Sequence, residues 1–352
     1  MTLDEQCHIL ISMILKTAFL AFLLLFTFCC QSSRNSISCK NPPQIDPQFD
    51  PAYLKLHHSG ELSRRAEQLW KIYGECTLCP RMCRVNRLNH ETGFCQADSG
   101  LYIASYGPHF GEEKSLVGRN GSGTIFFSNC SLRCVFCINW EVSHEGQGYR
   151  ISMEDLAEIM LKLQKRGCHN INLVTPDHYL PHIIGAVDMA AEKGLRLPLV
   201  YNTCGWTNQE ILGLLDGIVD IYLTDFKYFE SKMASKYSAG ANIYPESCKK
   251  SLLEMHRQVG TAMPGPDGIM YRGLMIRHLV MPGNAGGTKD IITWIAENLP
   301  KDSYLNIMSQ YRPMYKAFDY PEIARRIISR EYDEAVAHAK AMGLTSLDLQ
   351  GY

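Results

Sequence analysis

The chain has no appreciable excess of positive or negative charge. Its 352 residues include 35 Lys and Arg against 36 Asp and Glu, and no stretch is rich in Lys or Arg. Proteins dedicated to nucleic-acid binding carry such basic stretches, so this balance argues against that class. A hydrophobic fraction of 46% is sufficient to bury the core of one large α/β domain with a smaller appendage.

The N-terminal part lacks a hydrophobic run long enough for a clear membrane span. Thr17–Cys30 supplies fourteen mostly apolar residues, whereas a spanning helix needs about twenty. No twin-arginine pair precedes this run. We predict that residues 14–30 form a signal peptide, a lipoprotein-like segment or a membrane anchor, and a cytoplasmic protein without such an anchor is the alternative. We assign residues 1–30 to this segment and residues 31–60, rich in Ser, Asn, Pro and Asp, to a linker.

A compact cysteine motif in the middle of the chain lacks a fourth cysteine. Cys130, Cys134 and Cys137 follow an apolar segment with the spacing C-x3-C-x2-C. Structural zinc normally has four protein ligands. Three thiolates instead suit a 4Fe-4S cluster, because they leave one iron free to bind a substrate or cosubstrate.

A second cysteine group lies upstream and has four members, Cys76, Cys79, Cys83 and Cys95. Four thiolates complete a closed site, so the group predicts either structural zinc or an auxiliary iron-sulfur cluster. Two disulfides are a third interpretation. The chain has fourteen cysteines in all, and the concentration of seven of them in two short segments favours metal binding over disulfides.

From residue 124 onward, apolar runs alternate with helical patterns. The predicted strands are Thr124–Ser128, Asn170–Thr175, Pro198–Asn202, Ile218–Thr224, Gly273–Val280 and Ser303–Met308. The predicted helices between them are Ser152–Arg166, Pro181–Lys193, Asn208–Leu215, Pro245–Val259 and Thr288–Asn298. Six strand–helix units are too few for a closed eight-stranded barrel. We therefore predict an α/β fold with a partial (βα)6 TIM-like barrel, and a doubly wound sheet is the alternative.

Around this core we predict two further parts. A helix over Glu61–Tyr73 leads into a small cysteine-rich metal-binding subdomain, residues 61–110. The barrel core then covers residues 111–315. Residues 316–352 are predicted as a C-terminal helical extension.

Polar residues follow most of the predicted strands, where parallel strands bring ligand-binding groups to one edge. The candidates are Thr175, Asn202, Asp225, Lys227, Arg277 and His278. Asp225 and Lys227 share one face of an extended segment. The lysine suits a ligand carboxylate, and a plain Asp–Lys ion pair is the alternative. Arg277 and His278 alternate faces, so only one of them should face the cavity.

Together these motifs resemble the radical SAM superfamily, and within it the uncharacterised relatives of pyruvate formate-lyase activating enzyme. The resemblance covers roughly residues 70–315. It is carried by the three cysteines at 130–137 and by the segments Cys76-Thr-Leu-Cys79-Pro-Arg-Met-Cys83, Gly121-Ser-Gly-Thr-Ile-Phe-Phe127, Tyr222-Leu-Thr-Asp-Phe-Lys-Tyr228 and Ile276-Arg-His-Leu-Val-Met-Pro-Gly283.

The resemblance implies a 4Fe-4S cluster on Cys130, Cys134 and Cys137, with S-adenosylmethionine bound to it. Phe136 would neighbour the adenine, and Lys227 would reach the methionine carboxylate. A flavodoxin- or ferredoxin-type reductant would drive cleavage to a 5'-deoxyadenosyl radical, which takes hydrogen from an unknown protein or small-molecule substrate. A glycyl-radical-activase-like role is one expectation. A non-catalytic iron-sulfur, zinc or electron-transfer module is the alternative.

Two segments differ from the pattern of the better-known activating enzymes. Their Gly-Gly-Glu after the second strand, which binds the methionine amino group, is replaced by Val174-Thr-Pro-Asp177. We expect the backbone near Thr175, or the Asp177 side chain, to substitute for it. Their Asp-Thr-Asn-Gly after the third strand is replaced by Asn202-Thr-Cys-Gly205.

Overall fold

A nine-stranded sheet organises the part of the chain that the computed structural model describes, residues 49–349. Its strands are β1 Leu101–His109, β2 Ser122–Phe127, β3 Tyr149–Ile151, β4 Ile171–Val174, β5 Leu199–Thr203, β6 Ile221–Asp225, β7 Gly273–Leu279, β8 Tyr304–Met308 and β9 Leu347–Leu349. Their spatial order is β3-β1-β2-β4-β5-β6-β7-β8-β9. All neighbours from β2 to β9 are parallel, whereas β1 is antiparallel to both β2 and β3.

Helices connect the parallel strands. Within residues 49–349 they are α1 Ala52–His58, α2 Glu61–Ile72, α3 Lys114–Val117, α4 Trp140–Ser143, α5 Met153–Lys165, α6 Leu180–Glu192, α7 Gln209–Leu215, α8 Ser231–Tyr237, α9 Tyr244–Val259, α10 Thr288–Asn298 and α11 Ser329–Ala341. Local sequence explains several starts. Ser152 and Asp155 form a capping box before α5, and α6 and α9 have proline in their first turn.

The predicted fold class is confirmed. All six predicted strands are present as β2 and β4–β8, and all five predicted helices between them are present as α5, α6, α7, α9 and α10. The sheet ends at β3 on one side and at β9 on the other, so it is an open, partial barrel. Two structural details differ from the predicted parts. The segment 316–352 contributes the strand β9 as well as α11, and β1 extends the sheet into the predicted cysteine-rich subdomain.

The linker prediction for residues 31–60 is wrong at its C-terminal end. Ala52–His58 forms α1, with Tyr53 and Leu54 fully buried. The Tyr53 hydroxyl donates to the carbonyl of Leu197, and the Ala52 N–H donates to Asp220. These tertiary contacts order a short helix that a polar, proline-containing segment did not indicate.

The termini lie outside the described residues. The predicted signal or anchor segment at 1–30 belongs to this part of the chain, as do residues 31–48 of the linker. Between residues 49 and 349, no helix is both long enough and apolar enough to cross a membrane.

The sheet buries apolar side chains on both faces. The outer face packs against the helices, for example through Ile125, Leu173 and Ile276. The other face, which we call the inner face, forms a separate apolar cluster. Its members are Leu116, Val200, Ile221, Leu223, Ala262, Met270, Met275 and Tyr304. Because Leu116 comes from α3, the segment between β1 and β2 fills the interior of the partial barrel.

Candidate active site

The three-cysteine motif lies in the loop after β2. Asn129 and Arg133 have φ angles of 72° and 55°, a left-handed conformation that few non-glycine residues adopt. The loop is also tied to its surroundings. The Val135 N–H donates to the carbonyl of Tyr237 at 2.9 Å. The backbone therefore holds the cysteine side chains in a defined arrangement at the carboxyl edge of the sheet.

Each of the three thiols accepts a hydrogen bond. The Leu132 N–H lies 3.4 Å from Cys130 Sγ. Two serine hydroxyls complete the set, Ser238 at 3.1 Å from Cys134 Sγ and Ser143 at 3.1 Å from Cys137 Sγ. Donors of this kind stabilise thiolates and tune the reduction potential of iron-sulfur clusters.

The thiol of Cys204, which follows β5, donates to Cys130 and lowers the pKa of Cys130 to about 7. Burial raises the pKa of Cys134 to about 12, although Lys227 acts in the opposite direction. Metal binding deprotonates a coordinating thiol outright. Cys130 is thus the thiol most easily ionised before metal binds.

Five polar residues form one ion-paired network on the inner face. Asp225 Oδ2 lies 2.7 Å from Lys227 Nζ, and Asp225 Oδ1 lies 2.7 Å from Arg277 Nε. The Arg277 guanidinium also contacts Glu112 Oε2 at 3.2 Å and Asn202 Oδ1 at 2.7 Å. The network brings together four of the predicted site residues. It adds Glu112, which comes from the loop before α3 and follows no predicted strand.

This network fixes the charge of its central members. Burial opposes ionisation of Asp225, but Arg277 and then Lys227 outweigh it and hold the pKa of Asp225 at about 2. Burial also disfavours the charged form of Lys227. The negative charges of Asp225 and Cys134 outweigh this effect and raise the pKa of Lys227 above its ordinary value. Lys227 is therefore a permanent cation beside the cysteine loop. The ion pair with Asp225, our alternative interpretation of this lysine, is present.

Phe136 and Thr175 lie near this edge in buried or half-buried positions. The Phe136 ring packs against Tyr228 and Tyr311, with centroids 6.2 Å and 5.8 Å away. Thr175 has a φ angle of 58°, and its N–H donates to the carbonyl of Asn202 at 2.9 Å. The backbone after β4 thus turns sharply beside Asn202.

His278 is not brought together with the other predicted site residues. Its side chain is fully buried on the outer face. Its Nδ1 lies 2.7 Å from the carbonyl of Phe226, and its Nε2 lies 2.9 Å from Thr288 Oγ1. Of the alternating pair at the end of β7, Arg277 is therefore the residue that faces the interior.

Three hydroxyl groups donate hydrogen bonds to the Asp177 carboxyl group. Tyr201 and Thr203 each donate to Asp177 Oδ1 at 3.0 Å, and Thr207 donates to the same oxygen. Burial raises the pKa of Asp177 despite these contacts. Its carboxyl group ties the ends of β4 and β5 together. The contact of the backbone near Thr175 with a ligand amino group stays a prediction.

The upstream cysteines form no disulfide. Cys76, Cys79, Cys83 and Cys95 are all free thiols, as are the other six cysteines within residues 49–349. The two-disulfide interpretation is therefore not supported. Phe94 donates its N–H to Cys83 Sγ at 3.3 Å, the same kind of contact that the central motif shows.

No three His, Cys, Asp or Glu side chains between residues 49 and 349 are grouped as a ready site for a single metal ion. An iron-sulfur cluster makes a different demand, because each of its protein ligands binds a separate iron. The ligands then surround a volume the size of the cluster rather than a single ion.

Arg81 joins the two cysteine groups. It lies between Cys79 and Cys83, and its guanidinium packs over the Phe94 ring at 4.0 Å. Its nitrogens donate at 2.8–3.4 Å to four backbone carbonyls. Two belong to the three-cysteine loop, Ser131 and Leu132, and two to the segment after α8, Ser238 and Ala239. Sequence reasoning missed this residue. Its position between two ligands of one site was the available signal.

Comparison with known proteins agrees with this geometry. Residues 124–255 match the radical SAM superfamily. Over 304 residues the chain is 32% identical to an uncharacterised protein of Methanocaldococcus jannaschii. This alignment covers 84% of this chain and 83% of the relative. The chain belongs to the radical SAM superfamily. Membership implies a 4Fe-4S cluster and S-adenosylmethionine as cofactors.

Two solved structures are similar at low identity. Methylornithine synthase is 11% identical with a TM-score of 0.44, over 87% of this chain and 76% of that chain. SuiB of Streptococcus suis, bound to S-adenosylmethionine, is 13% identical with a TM-score of 0.42, over 63% of this chain. The match covers only 48% of SuiB, so this chain spans about half of its length. The narrower resemblance to pyruvate formate-lyase activating enzyme stays a prediction.

Proposed function

We propose that this protein is a radical SAM enzyme in which Cys130, Cys134 and Cys137 bind the 4Fe-4S cluster and Lys227 binds the carboxylate of S-adenosylmethionine. The observation that carries the proposal is the position of Lys227. Its ammonium pairs with Asp225 and lies close enough to the three-cysteine loop to act against the burial that raises the pKa of Cys134. When bound and reduced, the cluster supplies the electron that splits S-adenosylmethionine into methionine and a 5'-deoxyadenosyl radical, which takes hydrogen from the substrate.

The residues present fit a cluster. The donor set is three thiols on one short loop, and each thiol already accepts a hydrogen bond that favours its thiolate form. The cation of Lys227 offsets part of the resulting negative charge. Cys134 is buried, and Cys130 and Cys137 are half-buried. These are the contributions that a protein makes to cofactor chemistry: binding, orientation and electrostatics.

The other inner-face residues would position the cofactor. Arg277 and Lys227 bind the two oxygens of Asp225 separately, so the lysine ammonium keeps two of its three donors for a ligand. Phe136 offers a buried ring close to the cluster loop for an adenine. The left-handed turn at Thr175 offers backbone groups for the methionine amino group.

The expected partners extend this proposal. We propose a flavodoxin- or ferredoxin-type protein as the electron donor, because reduction of the cluster is required for each cleavage. The glycyl-radical-activase-like role rests on the sequence segments Cys76–Cys83, Gly121–Phe127, Tyr222–Tyr228 and Ile276–Gly283. A module that only binds metal or transfers electrons is the competing proposal.

Cleavage of S-adenosylmethionine tests the proposal directly. The anaerobically reconstituted protein, given dithionite and S-adenosylmethionine, should form 5'-deoxyadenosine, measured by chromatography and mass spectrometry. Cys130→Ala should reduce this product to the level of a protein-free control, because the cluster loses a ligand. Cys168→Ala, at a buried cysteine outside both groups, should leave product formation unchanged.

The paramagnetic resonance of the reduced cluster separates the competing proposals. S-adenosylmethionine should change the spectrum, because it binds the iron that has no cysteine ligand. A cluster signal that S-adenosylmethionine leaves unaltered, together with no 5'-deoxyadenosine, would favour the electron-transfer module and sink the enzyme proposal.

We further propose that Cys76, Cys79, Cys83 and Cys95 bind a second metal centre. Simultaneous replacement of the three central cysteines by Ala should leave metal bound in stoichiometric amount. Iron with an equal amount of sulfide would identify an auxiliary cluster, and one zinc without sulfide would identify a structural site. Adding Cys76→Ser should remove this metal. A triple variant without bound metal would contradict the proposal.

A further inference from the structure

A group of three aromatic rings lies beside the three-cysteine loop. Trp140 follows Cys137 by three residues, and its ring stacks on Tyr315 with centroids 5.2 Å apart and an interplanar angle of 11°. The His144 ring lies 4.6 Å from the same tyrosine, and its Nε2 lies 3.0 Å from the carbonyl of Cys134. Trp140 and Tyr315 are only half-buried. The rings thus connect the backbone of the loop to the protein surface.

Two exposed apolar side chains extend this group of rings. Ile138 directly follows the last cysteine of the loop and is 53% exposed. Phe318 is 63% exposed and lies in the 3-10 helix Tyr315–Asp319. Residues three apart in a 3-10 helix share one side of it, so Phe318 lies on the same side as Tyr315. Together with Trp140 and Tyr315 these two side chains form a surface that we call the apolar patch.

Two cations border the apolar patch. Lys316 Nζ lies 5.5 Å from the centroid of the Tyr315 ring, and Arg133 donates to the carbonyl of His144 at 3.3 Å. Neither cation forms a salt bridge with another residue between 49 and 349. Burial lowers the pKa of His144, and the charges of Arg133 and Lys316 lower it further. These two charges make the potential at the rings positive.

This combination of features indicates the kind of partner that fits. An exposed apolar patch with a positive potential is complementary to an acidic protein. Two carboxylates belong to the same segments, Glu141 and Asp319, but neither acts on His144. Electron-transfer encounters bury less area than stable complexes, so a patch of four apolar residues is large enough. A second copy of this chain fits less well, because it would bring the same two unpaired cations to the contact.

We propose that the apolar patch is the docking surface for the electron donor, a small acidic one-electron carrier of the flavodoxin or ferredoxin type. This inference rests on the proposed function, which requires reduction of the cluster. One electron leaves the carrier, which is oxidised, and enters the cluster, which is reduced. Docking on the patch places the carrier against the segment that follows Cys137, so the electron has a short way to the cluster ligands.

Binding of the carrier tests the inference without turnover. A flavodoxin and an acidic ferredoxin, both oxidised, are titrated separately into the oxidised, reconstituted protein by isothermal titration calorimetry. At least one of them should bind. Its affinity should fall as salt rises from about 0.05 M to about 0.3 M, because salt screens opposite charges. Lys316→Glu and Phe318→Ser should each weaken binding at the lower salt concentration by about tenfold or more.

Lys193→Glu and Met263→Ser are the matched controls. Lys193 is exposed at the end of α6, and Met263 is 70% exposed in the segment before β7. Both residues lie in segments that lead into strands, so they are at the amino edge of the sheet, opposite the three-cysteine loop. Their replacement should leave carrier binding unchanged. Circular dichroism should show that all four variants are folded.

Formation of 5'-deoxyadenosine separates docking from the chemistry of the site. Excess dithionite is a small reductant that needs no docking surface. With dithionite, Lys316→Glu and Phe318→Ser should therefore form the product as the unsubstituted protein does. With the photoreduced carrier instead, at a concentration below saturation, their initial rates should fall by about tenfold or more. The two control variants should keep their rates with both reductants.

The remaining outcomes distinguish failure of the docking surface from failure of the proposed function. The inference is overturned if neither carrier binds the unsubstituted protein. It is also overturned if both substitutions at the patch leave carrier binding unaltered, which would leave the patch for another partner, such as a protein substrate. In either case, product formed with dithionite leaves the proposed function intact. Carrier binding that depends on Lys316 and Phe318, without any 5'-deoxyadenosine, supports the docking surface and contradicts the proposed enzyme.

Discussion

Replacing Lys227 by Met should abolish 5'-deoxyadenosine formation and weaken the binding of S-adenosylmethionine by about ten- to a hundredfold. The expected loss corresponds to one hydrogen bond to a charged group, which is worth about 1.5–3 kcal/mol. Methionine keeps the length of the side chain and removes the charge. Isothermal titration of the unreduced, reconstituted protein measures the affinity, and product formation measures the activity.

Lys289→Met is the control for this substitution. Lys289 is 55% exposed and lies 3.1 Å from Glu334 in a surface ion pair, so its loss should change neither measurement. In Lys227→Met, Asp225 keeps its contact with Arg277, and the fold should persist by circular dichroism. Unchanged affinity for S-adenosylmethionine in a folded Lys227→Met protein would show that the lysine is only the ion-pair partner of Asp225.

Replacing Arg277 by Met should lower the free energy of unfolding by about 3–5 kcal/mol, because it removes the shared partner of buried carboxylates. Arg277 contacts Asp225 at 2.7 Å and Glu112 at 3.2 Å, and all three side chains are at most 16% exposed. Urea unfolding of the reconstituted protein, followed by circular dichroism, measures the change. Adding Glu112→Gln to Arg277→Met should recover part of the loss, because one unpaired charge is removed.

The matched surface substitution is Arg257→Met. Arg257 is 58% exposed and pairs with Glu254 and Asp216, each at 2.7 Å. Its removal should cost less than about 1 kcal/mol. Equal effects of the two arginine substitutions on the free energy of unfolding would mean that burial does not increase the contribution of the Arg277 network to stability.

The parallel core could be predicted because its signals are local. Each strand from β4 to β8 is a short apolar run, and each connecting helix has its own caps and spacing. Two of the strands that were not predicted, β1 and β9, lack such signals. β1 contains Gly107 and Pro108, which are ordinary turn residues, and β9 is only three residues long. Both become strands through pairing with neighbours that are distant in sequence or strongly apolar, β1 with β2 and β3, and β9 with β8.

The site was predictable only where residues follow strands. Asp225, Lys227 and Arg277 could be grouped because parallel strands end at one edge. Glu112 could not, since it reaches the interior through the path of the β1–α3 loop. The alternation of Arg277 and His278 was correct, but the face that points inward depended on packing against α10.

The hydrogen bonds of Arg81 determine which substitutions are tolerated on either side of this contact. Its acceptors at Ser131, Leu132, Ser238 and Ala239 are all main-chain carbonyls, which every amino acid supplies. Substitutions at those four positions leave the acceptors in place. Lysine in place of Arg81 could not span them, because it lacks the planar fork of the guanidinium. The contact thus requires the arginine side chain on the side of the upstream group, whereas main-chain carbonyls supply its acceptors on the other side.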